Sequence, residues 1–422
     1  MHRMDRFVVR PSGPLSGTVK VSGAKNSVLK LMAATVLAEG DFVLHNVPRI
    51  ADVEIMCDLL MSMGVDTKRA GGRLEVHRSS DLVPEAPYEL VERMRASIVV
   101  LGPLLAKCGH ARVSLPGGDN FGVRSIDYHL RGLESMGAKL EVDHGFIEAR
   151  ADELQGTRIV LEFPSHTATD TILMAAVLAK GSTVIENAAR EPEVADLAAM
   201  LNRMGARISG AGTSTIEVEG VEPDALRPVE HTVIPDRIEA ATWVAAVGIA
   251  GGEVVIDGAR ADHMDMIVQK MGDMGVRVAP SSQGLWASSS GRMRSVDVAT
   301  LPYPGIATDY KPLLVTMLAL ADGVAIVTEN IFRDNRFAYV AELRRLGADI
   351  RTEGHHAVVR GVARFSAAPV KAHDVRAGAS LCLAGLAADG ETVVEDAFHV
   401  DRGYDDFLGK LQSLGGDIER VR

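Results

Sequence analysis

The stretch from Ala111 to His129 carries residues whose order suits chemistry on an anion. An alternating run (Ala111, Val113, Leu115) meets Pro116-Gly117-Gly118, and then come Asp119, Gly122, Arg124, Asp127 and His129. Proline and paired glycines stop a strand and leave a pliable loop. A carboxylate at the tip of such a loop, with a cation five residues on, suits a lid that closes over an anionic ligand. A surface hairpin in which Asp119 is a turn residue fits the same residues.

Further polar residues stand at the starts of apolar runs. Lys25-Asn26, Arg95, Ser165 with Thr167 and Thr169, Asp236-Arg237, Asp309 and Arg376 each precede a segment rich in Ala, Leu and Val. A helix N-terminus attracts anions through its free N–H groups and its dipole. Ordinary N-capping accounts for the Ser, Thr and Asp positions. It does not account for arginine there, because a cation opposes the dipole. Arg124, Arg336 and Arg402 recur at a second equivalent place, before outer helices and beside Asp127, Asp334 and Asp401. Surface ion pairs, which contribute little, are the plain alternative for these three. If the helix starts share one cleft, they make a local cationic site in an acidic chain.

The elements that would position these residues repeat. A helix ending in Met/Leu-Gly before a short strand recurs at Gly64, Gly137, Gly205, Gly275, Gly347 and Gly415. An Ala/Leu-rich helix followed by a strand recurs at Gly40, Gly109, Gly181, Gly252, Gly323 and Gly390. Both phrases repeat every 67 to 73 residues. Glycine after a helix is the expected stop, since it adopts positive φ without a Cβ clash. The second set of helices is apolar nearly all round and is expected to be buried, with the more charged set outside. Six units in two sets of three follow, an α/β architecture of apolar helices inside sheets. The predicted domains are residues 25–234 and residues 1–24 with 235–422, the first strand joining the C-terminal half.

Composition narrows the function classes. The 422 residues are 47% hydrophobic, enough for two cores, and the net charge is -11 without a basic block. A general nucleic-acid surface is therefore not expected. The N-terminus has no apolar signal core, and no apolar run approaches the roughly 20 residues of a membrane span. Cys57, Cys108 and Cys382 are odd in number and lack metal spacing, which suggests buried thiols and a cytoplasmic, soluble protein. P-loop, zinc and Rossmann patterns are absent, and the thirteen histidines show no ligand spacing.

In order, SGAKN, RMRAS, the LPGG loop with its Arg124, Asp127 and His129, ENAAREPE, PDRIEAAT, PGIATD, RAGAS and HVDRGY resemble the UDP-N-acetylglucosamine 1-carboxyvinyltransferase family over nearly the whole chain. The resemblance implies a two-domain inside-out α/β barrel with three repeats per domain. It also implies transfer of the enolpyruvyl group of phosphoenolpyruvate to the 3-hydroxyl of UDP-N-acetylglucosamine by addition and elimination, with no cofactor and no metal. By matched position, Lys25, Arg124 and Arg402 would grip phosphoenolpyruvate, with Arg95, Arg336 and Arg376 nearby. Asp309 would orient or deprotonate the sugar hydroxyl. Asn26, Arg95, Arg124, Asp127, Ser165 and Ile331 would hold the nucleotide sugar. Lys25, Asp119, Asp309 and Arg402 would be the catalytic set.

Asp119 stands where most of the family has the cysteine that fosfomycin alkylates, so insensitivity to fosfomycin is expected. Other departures are Ser165-His166-Thr167-Ala168-Thr169 for the usual Ser-Val-Gly-Ala-Thr, Ala51 and Phe163 for Lys, Ser125 for Pro, and Lys311 for Gln. An extra residue also precedes Asn335-Arg336. An acceptor that is another uridine nucleotide remains a second reading, and a non-catalytic paralogue a third.

Overall fold

The computed structural model describes residues 5–117, 126–332 and 336–421. The chain divides into two compact units, with crossings between Ser22 and Gly23 and between Ile234 and Pro235. Each unit has its own hydrophobic core.

Among the described residues the repeat is visible as six four-stranded sheets, three in each unit. Every sheet has one plan: an edge strand pairs parallel with a second strand, which pairs antiparallel with a third, which pairs antiparallel with a fourth. In the N-terminal unit, strand Glu230–Thr232 returns from the end of the third repeat to pair parallel with Gly40–His45 of the first. In the other unit the N-terminal residues do the equivalent work. Strand Leu15–Lys20 pairs parallel with Gly252–Asp257, and Arg6–Arg10 lies between Thr392–Glu395 and Asp417–Val421. Each unit thus closes its set of repeats with a strand distant in sequence.

Six apolar helices line the interiors: Lys25–Ala34, Leu101–Cys108, His166–Ala176, Arg237–Ala250, Lys311–Leu320 and Val375–Leu386. They are called the first to sixth inner helices below. All ten residues of the fifth and all twelve of the sixth are buried. Burial all round explains why their sequences show no polar stripe. At about 25 cal/mol per Å², each leucine so enclosed stabilises its unit by about 2 kcal/mol. The fourth, fifth and sixth pack on one another. In the N-terminal unit the second packs on the third, and the 3-10 turn Arg95–Val100 bridges the first and third. The six helix-stop glycines all have positive φ, between 84° and 118°. Of the second glycine series, Gly390 alone does not, so its turn does not require glycine's conformational freedom.

One expectation is corrected here. Cys382 is buried, but Cys57 and Cys108 are only half-buried, because one lies on an outer helix and the other ends the second inner helix. Among the described residues, no helix is long and apolar enough to cross a membrane.

Candidate functional site

In the C-terminal unit, residues far apart in sequence meet around Asp309. This residue lies in the 3-10 turn Thr308–Tyr310 that leads into the fifth inner helix. Arg336 Nη2 donates to Asp309 Oδ1 at 3.4 Å, and Arg376 Nε donates to Oδ2 at 3.2 Å. Two guanidiniums thus fix both oxygens of one carboxylate whose side chain is 29% exposed. Capping is not what these two bonds do. It is the role of Asp236, whose Oδ1 accepts from Ile238 N and Glu239 N, and of Asp374, whose Oδ1 accepts from Arg376 N and Ala377 N.

Arg376 shows how a cation is tolerated at a helix start. Burial works against its charge, but Tyr404, Asp309 and Asp236 outweigh the penalty and raise its pKa. Its guanidinium carbon also lies 5.2 Å from the centre of the Tyr404 ring. Arg336 is buried rather than part of a surface pair. Its Nε donates to Thr308 Oγ1 at 3.0 Å, and Nη1 lies 3.8 Å from Asp374. Arg402 follows the short helix Phe398–Asp401 and is half-buried, while its neighbour Asp401 pairs with Arg420.

Behind Asp309 lies a pair of residues not singled out above as site residues. Lys311 Nζ is 2.7 Å from Glu329 Oε2, and both side chains are at most 1% exposed. Burial brings Lys311 down to about 7 despite this partner. Burial also opposes the Glu329 charge, yet Lys311, Thr308 and Thr300 together hold its pKa below the usual carboxylate value. Ile331 is placed by the same carboxylate, its N donating to Glu329 Oε1 at 2.9 Å. A cavity of about 320 Å³ is lined by Glu329, Arg336, Phe337, Arg344 and His355.

In the N-terminal unit, the first inner helix begins at Lys25 after Ala24, whose side chain makes no capping bond. Lys25 Nζ is 2.8 Å from Asp52 Oδ2, and Asp52 is almost fully buried. One turn on, Lys30 donates to the carbonyl of Asn26 and lies 3.8 Å from Asp170. His166 Nε2 is 3.5 Å from that same carboxylate. Burial raises the Asp170 pKa to about 7 and lowers that of Lys30. Ser165 caps the third inner helix, its Oγ accepting from Ala168 N at 3.4 Å.

Arg95, Asp127 and His129 form the other part of this unit's polar group. His129 is buried between Thr171 Oγ1, 3.0 Å from Nδ1, and Thr167 Oγ1, 3.1 Å from Nε2. Burial first, and the Arg95 charge second, bring His129 down to about 3, so it is neutral. Burial also lowers Arg95 to about 10. Asp127 begins the helix that His129 fastens to the third inner helix.

The predicted residues therefore fall into two groups, Asp309, Ile331, Arg336, Arg376 and Arg402 in one unit and Lys25, Asn26, Arg95, Asp127 and Ser165 in the other. Asp119, Arg124 and Ser125 lie outside the described residues, as do Arg333, Asp334 and Asn335. Sequence reasoning missed Lys30, Asp170 and the Lys311–Glu329 pair as members of these groups. For Lys30 and Asp170 the signal was present, a charge within an otherwise apolar helix. Among the described residues, no group of three or more His, Cys, Asp and Glu could hold a metal ion.

Comparison with known proteins gives this arrangement its class. The family model of EPSP synthase (3-phosphoshikimate 1-carboxyvinyltransferase) matches residues 9–411. The enolpyruvyl transferase NikO from Streptomyces tendae superposes with a TM-score of 0.89 at 26% identity, covering 99% of each chain. EPSP synthase from Acinetobacter baumannii shares the fold, with a TM-score of 0.74 at 19% identity over all of both chains. The fold is thus that of the enolpyruvyl transferases. A UDP-N-acetylglucosamine 1-carboxyvinyltransferase from Nocardia farcinica is 50% identical over 99% of both chains. One from Caldanaerobacter subterraneus is 48% identical over 98% of this chain and 99% of its own. Within the class, the chain belongs to the UDP-N-acetylglucosamine 1-carboxyvinyltransferase family.

Proposed function

We infer that the chain transfers the carboxyvinyl group of phosphoenolpyruvate to the 3-hydroxyl of UDP-N-acetylglucosamine and releases phosphate, opening peptidoglycan synthesis in the cytoplasm. The observation that carries this reading is the Asp309 carboxylate held by Arg336 and Arg376, at motif positions of a family whose members are half identical to this chain.

The chemistry assigns roles. A proton added to the methylene carbon of phosphoenolpyruvate makes C2 electrophilic, and the sugar oxygen adds there as its own proton leaves. Loss of a methyl proton then expels phosphate, breaking the C2–O bond and restoring the double bond. Asp309 orients the sugar hydroxyl or takes its proton, a task for a positioned carboxylate. Asp119 delivers the methylene proton. Lys25, Arg124 and Arg402 hold the phosphate and carboxylate of phosphoenolpyruvate, with Arg95, Arg336 and Arg376 supplying further positive charge. Asn26, Asp127, Ser165 and Ile331 hold the nucleotide sugar.

A second reading rests on His166. It stands beside the N-cap Ser165, in the stretch that departs from the family pattern, and another uridine nucleotide as acceptor would use such a change. Phosphate release with phosphoenolpyruvate and either UDP-N-acetylglucosamine or UMP separates the two. Turnover with the sugar nucleotide alone is expected, and turnover with UMP alone would replace the first reading. Asp119→Ala is expected to be inactive and the parent to form no covalent fosfomycin adduct by intact-mass measurement. A stoichiometric adduct, or full activity in the variant, removes Asp119 from its assigned role.

A further inference from the structure

We propose that Lys311 and Glu329 form a positioning pair that sets Asp309 and Arg336 from behind, making a buried lysine a determinant of the reaction although it is too deep to meet substrate. The inference rests on the assignment of Asp309 to the acceptor side of the reaction.

Glu329 is the hub. Its Oε1 accepts from Thr300 Oγ1 at 2.8 Å, Ile331 N at 2.9 Å and Phe332 N at 3.2 Å. Its Oε2 accepts from Thr308 Oγ1 at 2.8 Å and faces Lys311 Nζ at 2.7 Å. Thr308 is therefore committed as a donor to Glu329, which leaves its oxygen lone pairs to accept from Arg336 Nε at 3.0 Å. Arg336 in turn holds Asp309. The order Lys311, Glu329, Thr308, Arg336, Asp309 is one continuous polar chain, and Lys311 is only two residues from Asp309 along the backbone.

The lysine enters this chain at a cost. Its ammonium lies 3.8 Å from the centre of the Phe337 ring, and its side chain is fully enclosed. A glutamine here could donate to Glu329 without burying a second charge. Lysine instead makes the hub an ion pair, and breaking a buried pair from one side leaves an uncompensated charge. Among the described residues, the charged groups that act on Lys311 include Glu329, Arg336 and Asp374. Asp309 and Arg376 lie beyond Arg336, Tyr339 is buried near Arg336, Asp374 and Glu329, and Arg344 and His355 line the cavity with Glu329. Lys311 is the member of this group brought close to neutrality, at about 7. As it loses its proton, Glu329 loses its counter-charge, and the hold on Thr308 and Arg336 changes with it.

The test compares the parent with Lys311→Gln, Lys311→Met, Glu329→Gln and the double Lys311→Met/Glu329→Gln chain, which removes both charges together in case a single variant does not fold. Two readouts are taken. In the first, kcat and KM for phosphate release are measured from about pH 6 to about pH 9. Lys311→Gln, in which the amide still donates to Glu329, should remain folded and lose about 10- to 100-fold, mostly in kcat, as expected for a small misplacement of a reacting group. It should also lack an alkaline limb that the parent shows. In the second, chains labelled with 13C at the aspartate carboxyls are titrated, with the Asp309 signal assigned by its loss in Asp309→Asn. The Asp309 titration should move between the parent and Lys311→Gln. Parental rates, a superimposable pH profile and an unmoved Asp309 titration in Lys311→Gln would reduce the pair to packing and overturn the proposal. A parent that turns over no acceptor would sink the functional reading instead, and the carboxyl titration would still decide the positioning.

Discussion

In the C-terminal unit, Arg376 and Glu329 keep their charges although buried, while in the N-terminal unit Arg95, His129 and Asp170 are all pushed toward their neutral forms. Depth does not separate them, since Arg376 and Asp170 are both buried. The difference is in the partners. Arg376 and Glu329 have opposite charges at 3.2 Å and 2.7 Å, whereas Asp170 has its lysine at 3.8 Å and His129 sits between two hydroxyls, with burial and Arg95 outweighing Asp127. An attraction that decays with distance offsets desolvation only when the pair is close. Lys311 and Glu239 are exceptions within the C-terminal unit, where burial wins at 2.7 Å from Glu329 and at 2.6 Å from Lys410. Arg376 and Glu329 thus present fixed charge, while His129 and Asp170 are groups shifted toward their neutral forms.

That contrast can be broken at its strongest point first. Asp309→Asn keeps the shape but removes the charge that Arg336 and Arg376 were built to hold, and the expected fall in kcat is about 10³-fold or more. A variant within tenfold of the parent in the phosphate-release assay would mean that the fixed charge serves folding rather than reaction.

The next effect is on acid stability, and its two parts have opposite signs. His129 is lowered from an ordinary 6.5 to about 3, so the unfolded chain binds its proton first, and stability from this residue is lost as pH falls below about 6.5. Asp170 is raised from 3.8 to about 7, so the folded chain holds the proton, and stability is lost as pH rises through that window. Each contributes at most about 1.4 kcal/mol per pH unit, and the two oppose each other. Urea titrations at about pH 5 and about pH 7 should show His129→Asn shifted toward greater relative stability in acid and Asp170→Asn shifted the other way. Equal displacement of both variants at both pH values would show that neither group titrates on unfolding.

The smallest effect belongs to an exposed pair with good geometry. Arg158 makes two 2.8 Å bonds to Glu186, yet its side chain is 69% exposed. Arg158→Ala should leave the melting temperature unchanged, because water screens what the distances suggest. A clear drop would mean that geometry alone, without depth, decides the worth of an ion pair in this protein.

The repeats and the inner helices were legible because they depend on local rules. Helix-stop glycines, continuous apolar helices and a common period can be read without knowing which strand pairs with which. Arg376 could also be singled out locally, since a cation at a helix start contradicts the dipole and needs another reason. The partner that supplies the reason, Asp309, is 67 residues away, and nothing in either segment names the other.

Local sequence thus determined the repeating unit, the buried helices and the types of charge available, because dihedral preference and burial act over a few neighbouring residues. Tertiary structure alone decided which charges are paired: Lys311 with Glu329, Asp309 between Arg336 and Arg376, and Asp170 with the more distant Lys30. The physical reason is that a charge buried in a core depends on both its burial and the partners brought within a few ångströms of it, and those are set only after the chain has closed its repeats.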